Sequence, residues 1–270
     1  MSEQSSTHLS LKGPARWLFI LPGSLLVCLL AAPMGALLWR AALAGVLAHL
    51  REPTALSALW LSLLTSTLSL LAAILTGTPL AYALARWPFR GRAVVELLID
   101  LPVVLPPAVA GLALLMAFGR RGVFGGALEA IGLTLPFTTA AVVIAQTFVA
   151  APFYVRAARL GFLAVDTQLE EAAYTEGANQ WQLFRFVMIP LAGRALLSGM
   201  ILCWTRALGE FGATILFAGN LPGRTQTMPL AIYLGLERGV GEALALAAVL
   251  LLVSVILLAA LRWLERAQEK

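Results

Sequence analysis

Six stretches of the chain run for about 20 residues or more with almost no charge, the length a helix needs to cross a lipid bilayer. They span residues 17–39, 55–85, 94–118, 137–157, 190–218 and 242–264. Inside a bilayer, backbone N–H and C=O groups must be satisfied within the protein, which admits helices or a closed barrel. Nothing in these stretches alternates like a barrel strand. The expected fold class is therefore an all-α integral membrane protein with about six transmembrane helices. Composition agrees: 12% of the 270 residues are charged, against about 25% in ordinary globular proteins. Lys12 and Arg16 precede the first stretch as in a signal peptide. An apolar run over 17–39 exceeds the ~7–15 residues of a cleavable segment, so it reads as a retained helix.

The basic residues orient the chain. Lys12, Arg16, Arg86, Arg90, Arg92, Arg156, Arg159, Arg185, Arg194, Arg262, Arg266 and Lys270 fall on one set of flanks. Arg40, Arg51, Arg120, Arg121, Arg224 and Arg238 fall on the other. Basic residues gather on the cytoplasmic side. Both termini are thus expected in the cytoplasm, with tails over 1–16 and 265–270. The net charge of +5 follows the membrane flanks and suggests no nucleic acid partner. Cys28 and Cys203 sit in apolar runs and read as small buried hydrophobes; His8 and His49 lie far apart, and no metal site is expected.

One polar segment interrupts this pattern: EEAAYTEGANQWQLFRFVMIP, residues 170–190. Thr167 followed by Glu170 fits a capping box that would open a helix. Leu169, Ala172 and Ala173 recur at helical spacing and give it an apolar face. Gly177 is placed to end it in a left-handed conformation. Asn179 can cap a second short helix, with Trp181, Phe184 and Met188 on one side, and Pro190 opens the next span. The loop over 158–190 is expected to form two short helices with a glycine hinge. Glu170, Glu171 and Glu176 fit a soluble partner better than anionic lipid headgroups.

These residues carry a resemblance. EAA (Glu171, Ala172, Ala173), with Gly177 four residues on and then Ile189-Pro190, is similar to the EAA loop of permease subunits of bacterial ABC importers. TGTPLAYALAR (residues 76–86) looks like the end of that family's second core helix. GEFGATILFAGNLPGRTQTMPLAIY (residues 209–233) resembles the molybdate and tungstate importers and their sulfate relatives. The likeness covers about 54–264. One departure is Arg194, near which the family usually has a proline.

The resemblance implies a type I importer permease with a MetI-like core over 54–264. It implies a second copy of the chain, two cytoplasmic ABC ATPases that hold ATP-Mg, and an external oxyanion-binding protein. It also implies residence in the bacterial inner membrane. Glu171, Ala172, Ala173 and Gly177 are the residues carried over, and with Glu170, Ala178, Trp181 and Phe184 they make up the expected ATPase-coupling loop. The chain holds no cofactor of its own on this reading. Its only lysines, Lys12 and Lys270, cannot complete the Gly-Lys-Ser/Thr of a P-loop, so the expected motor is a separate chain.

Arg206 and Glu210 lie at i and i+4 inside the fifth span. Charges at such depth face a protein interior or an aqueous cavity. A structural ion pair is one reading; attraction of an oxyanion by Arg206 is the other. Gly209, Gly212 and Thr214 continue the same span and complete the candidate pathway set. Its glycines, with Gly219, suit close helix packing or a lining role. Pro102, Pro106 and Pro107 suggest a kink in the third span, and Glu96 and Asp100 are expected to pair with Arg86, Arg90 or Arg92. An ion-driven secondary transporter would need coupling carboxylates near the midplane, where Glu210 stands alone. No catalytic constellation for a membrane enzyme is present.

Overall fold

The computed structural model describes residues 17–266, and every regular element among them is helical. Lys12, Arg16, His8 and Lys270 lie outside the described residues. Helix α1 (Trp17–Leu43) is followed by the short α2 (Val46–His49) and then α3 (Pro53–Arg86). At 34 residues, α3 is about 50 Å long, well beyond a hydrocarbon core of roughly 30 Å. It stops at Trp87 because Pro88 follows: steric pressure from a proline ring drives the preceding residue out of the helical region, and Trp87 is extended.

The same rule breaks the third expected span. Leu105 precedes Pro106 and is extended, so residues 94–118 form two helices, α4 (Arg92–Val104) and α5 (Pro107–Phe118). Neither half is long enough to cross alone. A short α6 (Gly125–Ala130) leads to α7 (Thr139–Leu163), which Thr138 caps by accepting from Ala141 N. The expected loop over 158–190 starts later, because α7 runs on to Leu163. Then come α8 (Thr167–Thr175), α9 (Gln180–Leu183), one π-helical turn (Phe184–Met188) and α10 (Ile189–Leu208). The fifth expected span also breaks: α10 ends at Leu208, and α11 (Gly212–Phe217) is a separate piece. Helices α12 (Met228–Arg238) and α13 (Val240–Arg266) complete the chain. Five helical stretches among the described residues are long and apolar enough to span a membrane.

The centre of the fold is the packing of α3, α7 and α10. Ala73, Ala81, Tyr82, Ala150, Tyr154, Phe162, Ala192, Leu196 and Cys203 form its core. Small residues let these helices approach: a Cβ added at Gly199 would lie 2.8 Å from that of Ala157. A second cluster joins α5, α7 and α11 through Leu114, Val142, Val149, Ala213 and Phe217. A third joins α3 to α12 and α13 through Ala58, Met228 and Leu246.

A polar stripe runs down the inner face of α3. Ser62, Thr65, Ser66 and Ser69 are fully buried at i, i+3, i+4 and i+7. Ser62 Oγ accepts from Met228 N at 2.6 Å. Ser66 Oγ accepts from Trp204 Nε1 at 2.9 Å, and Ser69 donates to the Val143 carbonyl at 3.0 Å. Such hydrogen bonds bind helices where the hydrophobic effect between them is absent. Helix α1 packs mainly on α13 and is otherwise exposed. Cys28 lies on that exposed surface and is not a buried core residue; only Cys203 is.

Candidate functional site

At one end of the bundle α8 and α9 form a knob. Its helix starts one residue earlier than the capping box over Thr167 and Glu170 would put it. Asp166 is the N-cap, accepting from Gln168 N at 2.9 Å. With Asp166 as N-cap the third helical position is Leu169, so no capping box closes, and the Glu170 carboxylate lies against Arg86. Leu169 and Ala172 are exposed, Ala173 is partly packed, and no residue of α8 is buried. The face expected from the spacing is therefore unpartnered within this chain.

Gly177 ends α8 with φ +86°. Ala178 N donates to the Ala173 carbonyl at 3.0 Å, which satisfies a carbonyl orphaned at the helix end. Asn179 then caps α9 reciprocally: its side chain accepts from Gln182 N at 2.9 Å, while Gln182 Oε1 accepts from Asn179 N at 2.8 Å. Leu183 and Met188 anchor the turn into α10 and are fully buried. Tyr82 meets Phe162 and Phe184 edge-on, at centroid distances of 5.5 Å and 4.9 Å. Trp181 stays exposed beside Phe184 and rims an apolar groove of about 430 Å³ with Pro79, Tyr82 and Trp87. Glu171 and Glu176 point outward.

Two expected charge partnerships are corrected. Asp100 pairs with Arg156 on α7 at 2.6 Å. Arg86 reaches the knob instead of Glu96 or Asp100. Glu96 does pair with Arg92, at 2.9 Å, and also takes Arg159 at 2.9 Å. Arg156 with Asp100 and Arg159 with Glu96 tie α4 to α7 across sequence distances that no local pattern signals.

The second candidate region is the break between α10 and α11. Arg206 Nη1 lies 2.6 Å from Glu210 Oε2, and Glu210 is 1% exposed. The other carboxylate oxygen, Oε1, accepts from Ala213 N at 2.8 Å. Glu210 thus caps α11 while neutralising the charge at the end of α10. Gly212 sits against Pro107, and Thr214 is buried. Gly209 is exposed and packs on no other helix; it opens onto a cavity of about 340 Å³ lined also by Phe211, Tyr233 and Leu250. The region joins an ion pair with a buried carboxylate to a helix terminus at the interruption of a long apolar element.

Residues 77–270 match the family described as binding-protein-dependent transport system inner membrane components. The chain belongs to that family. Its fold agrees: a membrane chain of a bacterial ABC transporter for the acidic polysaccharide alginate superposes with a TM-score of 0.72 at 18% identity, covering 94% of this chain and 95% of that one. The molybdenum transport system permease protein ModB of Mycobacterium tuberculosis is 41% identical over 243 residues, 89% of this chain and 91% of the relative. Its counterpart in Escherichia coli (strain K12) is 39% identical over 212 residues, 77% and 93% of the two chains.

Sequence reasoning missed three features of this region. The grip of Arg86 on the knob pairs residues far apart in the chain, which no spacing rule reaches. The α3 serine stripe has helical spacing in the string LSLLTSTLS and was readable as an interface. The π turn at Phe184–Met188 leaves no sequence mark that distinguishes it from α-helix.

Proposed function

We propose that this chain is the membrane-spanning subunit of an ATP-driven importer of molybdate, with tungstate as an alternative cargo of the same shape and charge. The observation that carries this reading is the 41% identity to a molybdenum permease across about nine-tenths of both chains. Two copies of the chain form the pathway, two cytoplasmic ATPases each receive one knob, and an oxyanion-binding protein delivers the anion from outside. The exposed α8 with its outward Glu171 and Glu176 supports the docking role. The orientation that puts the knob in the cytoplasm follows the basic flanks.

In this mechanism ATP closes the ATPase pair and draws the two knobs together. The helices rooted in them then tilt and open the pathway outward. Arg206 and Gly209 are proposed to border that pathway, with Glu210, Gly212 and Thr214 packed behind them. With its charge shared by Glu210, Arg206 attracts a dianion without trapping it, as conduction requires. The test is uptake into vesicles holding the chain with its ATPase and binding protein. ATP-dependent molybdate uptake is the expected result. Uptake that follows a proton or sodium gradient without ATP, or that prefers sulfate, overturns the proposal.

A further inference from the structure

We infer that Arg86 is a positioning residue that transmits knob movement to α3, an inference that rests on the importer reading above. Three acidic side chains belong to the knob, and they divide. Glu171 and Glu176 are exposed, whereas Glu170 turns inward to Arg86. The side chains of this pair are 13% and 14% exposed. Arg86 Nη2 also donates to the Val165 carbonyl at 2.8 Å, one residue before the α8 N-cap. One guanidinium therefore holds both the chain leading into α8 and the first turn of α8. Both contacts run through the single nitrogen Nη2, which sits between the Val165 carbonyl and the Glu170 carboxylate.

The position of Arg86 makes this grip mechanical. It is the last residue of α3, the longest helix among the described residues. One turn back, Tyr82 is wedged against Phe162 at the end of α7 and Phe184 at the turn into α10. The knob is continuous in chain with α10 and bolted through Arg86 to α3. Along the chain, a load applied to α8 reaches α10 through the Gly177 hinge and the π turn. A partly buried ion pair suits the task, since it opposes half-broken geometries in which a charge is left without its partner. Glu170 is thereby a positioning residue inside the knob, while its neighbours face the motor.

The experiment uses the complex of this chain with its ATPase and binding protein in vesicles. Anion transported per ATP hydrolysed is measured for Arg86→Gln, Glu170→Gln, the double variant and Arg86→Lys. A merely structural role would lower the amount of assembled complex and leave this ratio alone. The expected result is assembled complexes in which each glutamine variant lowers the ratio roughly tenfold, with the double variant no worse than either single one. Arg86→Lys restores part of the ratio. A wild-type ratio in assembled Arg86→Gln or Glu170→Gln overturns the inference. So does loss of assembly in both, combined with a normal ratio in Arg86→Lys. If the unaltered complex shows no ATP-driven uptake, the importer reading fails first, which separates the two outcomes.

Discussion

Glu210 joins two helices by serving Arg206 and Ala213 at once: one carboxylate oxygen lies 2.6 Å from the Arg206 guanidinium and the other accepts the Ala213 amide at 2.8 Å. Glu210→Ala removes both partners. It leaves an amide without an acceptor at the start of α11 and a cation without its counter-ion. The expected loss is about 2–3 kcal/mol, with the Arg206 share reduced because that side chain is 30% exposed. Glu210→Gln keeps an oxygen for Ala213 N and should lose less. Thermal unfolding of the purified chain in detergent decides; equal melting of the two variants would sink the dual role.

Close packing at Gly212 makes a second prediction. A Cβ there would lie 2.5 Å from the Cβ of Pro107. A proline ring has no rotamer by which to yield, so α5 and α11 must part. Gly212→Ala is expected to lower stability by about 1–3 kcal/mol. Gly193→Ala, in the second turn of α10 with no atom near the added Cβ, should be neutral or slightly stabilising. Melting temperatures that fall equally in both would refute the packing account.

Gly177→Ala isolates backbone conformation from contact. The position has φ +86° and no atom within 4 Å of an added Cβ. The penalty is thus conformational, about 1 kcal/mol, and local to the knob. Binding of the partner ATPase in detergent should weaken severalfold while the melting of the membrane core is unchanged. Unaltered affinity would show that the hinge is not needed for docking.

Helix capping gives a test of the start of α8. Asp166→Ala removes the side chain that accepts from Gln168 N and should destabilise α8 by about 1 kcal/mol. Thr167→Ala should change little, since the hydroxyl does not cap. Hydrogen exchange of the amides over 168–171 reads the difference directly. Faster exchange in Thr167→Ala than in Asp166→Ala would restore the threonine cap.

The bond from Trp204 Nε1 to Ser66 Oγ crosses two central helices. Trp204→Phe and Ser66→Ala should each lower stability by about 1 kcal/mol, and the double variant should lose less than their sum. Strict additivity in thermal unfolding would mean the bond contributes nothing to holding α3 and α10 together.

The parts of this molecule that were legible in the sequence are those governed by solvent or by neighbours in the chain. An apolar run of membrane length must be helical because lipid offers its backbone no partners, so the all-α class and the long helices at 53–86, 139–163 and 240–266 could be read directly. The hinge at Gly177 and the cap at Asn179 could be read because a left-handed turn and an N-cap depend on residues within one turn of each other. Proline also left its mark at Leu105, yet the hydrophobic run hid the break, since hydropathy does not register where a helix stops.

Sequence by itself determined that this chain spans a membrane and carries one polar helix-hinge-helix segment, because both follow from local chemistry. Tertiary structure alone decided which charges meet between elements distant in the chain. Arg86 could have satisfied Glu96 or Asp100 as well as Glu170, since Coulomb attraction is blind to chain order. The packing of α3 against α7 brought Val165 and Glu170 within reach of its guanidinium, and the packing of α4 against α7 gave Asp100 to Arg156 instead.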